Sequence, residues 1–120
     1  MTLRVLIVDD EPPARARLRQ LLDEMPEVTC VGEAASGEEA LAAAEEAVPD
    51  VVLLDIRMPG LGGMEAARRL AALAEPPAVI FTTAYEQHAL EAFEAQASGY
   101  LLKPVRRDRL AAALERARRP

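Results

Sequence analysis

Cysteine is nearly absent. Cys30 is the one thiol among 120 residues, so no internal disulfide can form, and a lone thiol suits a small core position in a reducing cytoplasm. Lysine is as scarce: Lys103 stands alone against thirteen Arg. One histidine, His88, and two serines, Ser36 and Ser98, complete the short supply. A zinc centre of Cys and His, or a Ser-His-Asp triad, has no material here, and His88 reads as a surface residue. No apolar run approaches the roughly 20 residues of a membrane span. The start Met-Thr-Leu-Arg has no signal-peptide layout. No GxxxxGK[ST] loop occurs, and Gly60, Gly62 and Gly63 do not form GxGxxG. These absences set aside secretion, membrane insertion, a disulfide-built fold and P-loop nucleotide binding.

What is present is a folding mixture of 51% hydrophobic and 28% charged residues. At this length it makes one domain with a core large enough to need no staple. The charge is unevenly spread. The net charge is −6, yet residues 106–120 hold six Arg against two acids, leaving −10 on the first 105 residues. So acidic a body argues against nucleic-acid binding by the main surface. The Arg-rich end reads as an amphipathic helix with a solvated basic face.

Apolar β-branched runs alternate with helical spacing. Leu3–Val8 is a strand ending at Asp9 and Asp10. Pro12 and Pro13 open a helix carrying Leu18, Leu21, Leu22 and Met25, which Pro26 stops. Val28–Ala34 is a second strand, and Ser36-Gly37-Glu38-Glu39 is a capping box. Val51 to Leu54 runs into Asp55, and a Pro-Gly loop leads to a helix with Met64, Ala67, Leu70 and Leu73. Ala78–Thr83 is a fourth strand, 89–95 a short weak helix with Leu90 and Phe93 as core or switch residues, and Tyr100 to Leu102 a fifth strand. Leu110, Ala113, Leu114 and Ala117 share one face of a last helix. Five strands alternating with five helices predict an α/β domain over residues 1–120, a parallel sheet covered on both faces with no second domain.

Ligands of such sheets bind beyond the carboxyl ends of the strands. There the sequence places Asp9 and Asp10, Asp55, Thr83 and Lys103. Asp9 and Asp10 alone are as well explained as helix caps. With Asp55 they make an oxygen-only set that suits Mg²⁺ or Mn²⁺, since clustered carboxylates ionise cheaply only around a cation. A lone lysine before proline suits a point contact with phosphate or carboxylate, and a cis Lys103-Pro104 bond would aim it. Together the parts describe phosphoryl transfer to a carboxylate nucleophile, with Lys103 and Thr83 on the remaining oxygens.

The order Asp9-Asp10, Asp55 with Met58-Pro59-Gly60, Thr82-Thr83-Ala84 and Lys103-Pro104 resembles the receiver domain of two-component response regulators across essentially the whole chain. Phe81-Thr82-Thr83-Ala84-Tyr85, Ala92-Phe93 and Tyr100 to Pro104 resemble the LytR/AlgR group in particular, whose members usually carry a DNA-binding LytTR-type domain after the receiver. The resemblance implies a flavodoxin-like, doubly wound sheet in the order 2-1-3-4-5. It implies Asp55 as phosphoacceptor for a sensor histidine kinase. Mg²⁺ would be held by Asp10, by Asp9 mostly through water, by Asp55 and by the Arg57 carbonyl. Thr83 and Lys103 would hold phosphoryl oxygens, and Tyr100 would be the aromatic that follows Thr83. The implied setting is cytoplasmic. A homodimer would use the face of the fourth helix, fifth strand and fifth helix, and DNA would be reached only through an output domain outside the chain.

Three departures stand out. Val105 follows Lys-Pro where Phe is frequent, Gly62 stands where Asp commonly caps the third helix, and Arg57 and Tyr85 are bulky at positions that tune water access. Arg15 and Arg19, beside the Asp9-Asp10 loop, are the expected kinase-docking residues. A haloacid-dehalogenase-like phosphatase would need a DxDx[TV] strand end, which Asp9-Asp10-Glu11 is not. A pseudo-receiver would be expected to lack one of the five site residues.

Overall fold

The strands form first-order neighbours only through crossovers, which is what their hydrophobicity demands. In the computed structural model, which describes residues 2–118, the elements run β1 (Leu3–Val8), α1 (Pro12–Asp23), β2 (Val28–Ala34), α2 (Gly37–Ala47), β3 (Val51–Asp55), α3 (Gly63–Ala71), β4 (Ala78–Thr83), a 3₁₀ turn (Glu86–His88), α4 (Ala89–Glu94), β5 (Gly99–Leu102) and α5 (Arg107–Arg118). The five strands are all parallel, in the order β2-β1-β3-β4-β5. This is the flavodoxin-like order. The side chains of Gln87, Leu90 and Phe93, and all of Arg119 and Pro120, lie outside the described residues.

Alternation along each strand sorts its side chains onto two faces. Leu3, Val5, Ile7, Val51, Leu53, Ile80 and Leu101 meet Leu18, Leu21 and Leu22 of α1 and Leu110, Ala113 and Leu114 of α5. Leu6, Val8, Val52, Leu54 and Phe81 meet the alanines of α2 and α3, with Leu70, and Ala92 of α4. Residues Val5–Val8 and Val51–Leu54 have no exposed surface. Each buried side chain of this size contributes about 1.5–3 kcal/mol, so the central strands are the firmest part of the molecule. Cys30 is half-buried against the first cluster, as a small packing residue.

Local chemistry sets the helix ends. Pro12 and Pro13 occupy the first turn of α1. Ser36 Oγ accepts from Glu39 N at 3.1 Å while the Glu39 carboxylate accepts from Ala35 N at 3.0 Å, the reciprocal capping read from the sequence. α2 ends on Val48 in the left-handed region, φ 46°, a conformation that a β-branched side chain resists. Gly62 precedes α3 with no side-chain cap, as the missing Asp predicts. The β1–β2 register shifts between Val5 and Leu6, where β2 carries the extra residue Val31.

Candidate functional site

The strand register brings the chemistry together. Val8 pairs with Leu54, so one step further Asp9 faces Asp55; Asp55 pairs with Thr82, and Thr82 with Leu101. By alternation all four lie on the α1/α5 face. Lys103, two residues beyond Leu101, returns to that face, with its backbone N–H donating to the Thr83 carbonyl at 2.8 Å and the Lys103–Pro104 peptide cis. Lys103 Nζ reaches Asp9 Oδ2 at 2.7 Å and Asp55 Oδ1 at 3.4 Å. The other Asp9 oxygen accepts from Glu11 N at 2.9 Å. Asp9 is thus wholly buried with both oxygens engaged, which is how a carboxylate survives burial.

Asp10, half-buried, completes the cluster. One oxygen each of Asp9, Asp10 and Asp55 lies within 4.8 Å of the others. Burial first, then the charge of Asp9, pushes the Asp55 carboxyl up to about 6, against the opposing pull of Lys103. Lys103 in turn is raised: burial lowers it most among single causes, but its two carboxylate partners together outweigh burial. Three carboxylates and one ammonium leave uncompensated negative charge, and the donors are all oxygen. That set fits a hard divalent cation such as Mg²⁺.

Gly63 fits against the backbone under this cluster. A Cβ there would lie 2.3 Å from the Asp55 carbonyl oxygen and 2.7 Å from Ile56 Cα. Gly60 has φ +74° and packs against the Glu38 carboxylate.

The other edge of the site is built on β4. Thr83 Oγ1 accepts from Tyr85 N–H at 3.2 Å, and the Tyr100 hydroxyl donates to the Tyr85 carbonyl. One residue, Tyr85, therefore links Thr83 to Tyr100 through its backbone N–H and carbonyl. The Arg57 guanidinium lies over the Tyr85 ring, 4.0 Å from its centroid, and Arg57 Nε donates to His88 Nε2 at 3.2 Å. His88 is a correction to its reading as a bland surface residue: its side chain is only 15% exposed.

Arg15 and Arg19 are also less free than their sequence position implies. Arg15 donates to the Asp9 carbonyl at 2.7 Å, and both pair with Glu33, at 3.3 and 2.9 Å. Thr82 was passed over as a site residue. It is fully buried, and among the described residues its hydroxyl has no hydrogen-bond partner. Its doubled Thr-Thr with Thr83 was the available signal.

Comparison with known proteins agrees with this geometry. The profile of the family described as "Response regulator receiver domain" matches residues 5–115. The chain is 54% identical over 119 residues to the positive alginate biosynthesis regulatory protein of Pseudomonas aeruginosa, covering 98% of this chain and 48% of that protein. It is 44% identical over 114 residues to the sensory transduction protein LytT of Bacillus cereus, covering 95% of this chain and 46% of that one. The chain thus spans about half the length of the curated relatives it matches. The signal receiver domain of the putative response regulator NarL from Mycobacterium tuberculosis superposes with a TM-score of 0.90 at 33% identity, covering 99% of this chain and 98% of that one. No helix among the described residues is long and apolar enough to cross a membrane. A sheet ordered 2-1-3-4-5, acids at the ends of its central strands and this profile match agree: the chain belongs to the receiver domains of two-component response regulators, in the LytR/AlgR-like group.

Proposed function

We propose that this receiver domain accepts a phosphoryl group on Asp55 from a sensor histidine kinase and passes the event on as a change of surface around α4. The supporting observation is the convergence of Asp9, Asp10 and Asp55 with Lys103, residues up to 94 positions apart, at the carboxyl end of the sheet. An Asp55 oxygen attacks phosphorus, the bond from phosphorus to the kinase imidazole nitrogen breaks, and the imidazole leaves with the electron pair. A divalent cation held by Asp10, Asp55 and the Arg57 carbonyl, with Asp9 behind them, would neutralise the cluster and the incoming oxygens. Lys103, already on Asp55, is within reach of a group bonded there, and Thr83 offers a hydroxyl from the neighbouring strand.

The switch follows from bonds already in place. If Thr83 turns to a phosphoryl oxygen it releases Tyr85 N–H, and Tyr100, bonded to the carbonyl of that residue, loses its fixed anchor. Two conformations, biased by one added group, suffice. The affected face includes Leu102, 41% exposed. It also holds a groove of about 410 Å³ lined by Ala89, Tyr100, Leu102, Pro104, Arg106 and Arg109. A second copy, or an output domain of LytTR type outside the chain, is the expected reader there. On this reading the domain is regulatory, with no turnover beyond its own phosphorylation and dephosphorylation, and works in the cytoplasm.

Intact-mass spectrometry after incubation with acetyl phosphate tests it. One phosphoryl adduct is expected, dependent on Mg²⁺ and absent from Asp55→Asn. A folded, Mg²⁺-binding chain without adduct would defeat the reading. Kinase docking is tested by Arg19→Glu rather than at Arg15, because Arg15 holds the Asp9 carbonyl. Transfer from the kinase should weaken while labelling by acetyl phosphate persists.

A further inference from the structure

Arg57 lies two residues past Asp55, and Tyr85, two past Thr83, donates its N–H to Thr83 Oγ1 at 3.2 Å, so both belong to the loops at the carboxyl end of the sheet. A guanidinium two residues along the chain from a cluster of three carboxylates has an electrostatic reason to turn toward them. It does not: among the described residues Arg57 makes no ion pair with Asp9, Asp10 or Asp55, whose cationic partner is Lys103. Stacking on Tyr85 alone is a weak restraint at an exposed ring. The additional hold on Arg57 is His88.

His88 Nε2 accepts from Arg57 Nε at 3.2 Å, and His88 Nδ1 lies 3.0 Å from Glu91 Oε1. A guanidinium can only donate and a carboxylate can only accept, so both bonds require one neutral tautomer with its proton on Nδ1. Glu91, on α4, therefore decides which ring nitrogen offers its lone pair to Arg57. The imidazole also meets the Tyr85 ring edge-on, with centroids 6.2 Å apart and planes at 88°. Arg57, Tyr85 and His88 form one slab drawn from the ends of β3 and β4 and from the turn before α4.

We propose that His88, oriented by Glu91, is a positioning residue that holds Arg57 against Tyr85 as a lid beside Asp55 and thereby slows hydrolysis of the aspartyl phosphate. This rests on the reading of Asp55 as phosphoacceptor. In the step it restrains, a water oxygen bonds to phosphorus and the bond from phosphorus to the Asp55 oxygen breaks. Asp55 departs as carboxylate, and the phosphate released keeps the protons of the water. His88 touches none of the reacting atoms; it acts through Arg57. Because Glu91 lies on α4, the lifetime of the signal is tied to the position of the element that reports it.

The test labels the full chain with acetyl phosphate and Mg²⁺, removes the donor, and follows loss of the adduct by intact mass. His88→Ala should hydrolyse about threefold faster or more, the worth of one modest hydrogen bond. His88→Gln should restore most of the lifetime, because its amide accepts from Arg57 and donates to Glu91. Arg57→Ala should also be fast, and adding His88→Ala to it should change nothing further. Equal lifetimes for His88→Ala and wild type would overturn the proposal. So would an equal acceleration of the Arg57→Ala chain, since His88 would then act through the fold. A second readout is independent of phosphorylation. As His88 is the single histidine, ring-nitrogen NMR of the unlabelled chain reports it directly. The proton should sit on Nδ1, and a proton on Nε2 would sink the geometry. If no variant takes up phosphate, the reading of Asp55 fails while the NMR still decides on His88.

Discussion

The two sides of the site are built differently. Toward α1 and α5, Asp9, Asp55 and Thr82 each follow a wholly buried strand residue, Lys103 is paired with both Asp9 and Asp55, and both Asp9 oxygens are bonded. Toward α4, Tyr85, Tyr100, Arg57 and His88 reach one another and the buried Thr83 through single hydrogen bonds, at a surface where Tyr85 is 42% exposed. α4 has six residues after a 3₁₀ turn, against twelve each in α1 and α5. A short helix buries little and opens at low cost. On the proposed reading, chemistry that must hold carboxylates in place is set on the rigid side, and the part that would move is set on the side with least to lose.

Substitutions should separate the two sides by size of effect. The largest is expected at Gly63, whose added Cβ would press on the Asp55 and Ile56 backbone. Gly63→Ala should lose about 3 kcal/mol or more in urea unfolding, because backbone cannot step aside as a side chain can.

Next is Asp55→Asn. An acid whose folded value, about 6, lies above the ordinary 3.8 holds its proton longer in the folded state. Wild-type stability therefore falls as pH rises from about 4 through about 6. Asn cannot ionise and escapes that loss. Without divalent metal the variant should be more stable by about 1–2 kcal/mol near pH 7, the gain vanishing below about pH 4. Mg²⁺ should narrow the gap by favouring the ionised cluster. Thermal melts across pH with and without Mg²⁺ read this out, and a gain that persists in acid would refute it.

Thr82→Val removes a buried hydroxyl that has no partner, and should stabilise the rigid side by about 1 kcal/mol in the same unfolding assay. On the soft side, Tyr100→Phe removes a hydrogen bond at a partly exposed position. Stability should move by only about 0.5 kcal/mol, and labelling of Asp55 should persist while any phosphorylation-dependent change at α4 weakens. A drop as large as that at Gly63 would erase the contrast.

The rigid side was the legible one. Apolar runs ending in acids mark β1 and β3 as the buried central strands, so β1 came out with the bounds the sequence suggested, and Asp9, Asp10, Asp55 and Lys103 could be assigned to one end of a sheet. On the soft side Thr83, Arg57, Tyr85 and Tyr100 were named, but their contacts and the place of His88 were not legible, because those contacts follow no period. Arg57 meets His88 across 31 positions, and Tyr100 meets Tyr85 across 15. Nothing local in a lone histidine announces either neighbour. Thr82 was missed for a related reason: the register that sets it beside Asp55 is a property of two strands, not of one.

The irregular pairing of β2 and the brevity of β5 have a consequence for how the protein lives among other chains. These are the outer strands of the sheet, and an outer strand offers a row of unpaired N–H and C=O groups that can recruit a foreign strand and seed aggregation. β5 offers four residues and stops short of Pro104, which has no N–H to give. β2 is kinked out of regular spacing by Val31. Neither border gives an incoming strand a long straight template. A molecule that must be touched repeatedly by other proteins is left open to contact through its side chains and closed to polymerisation through its backbone.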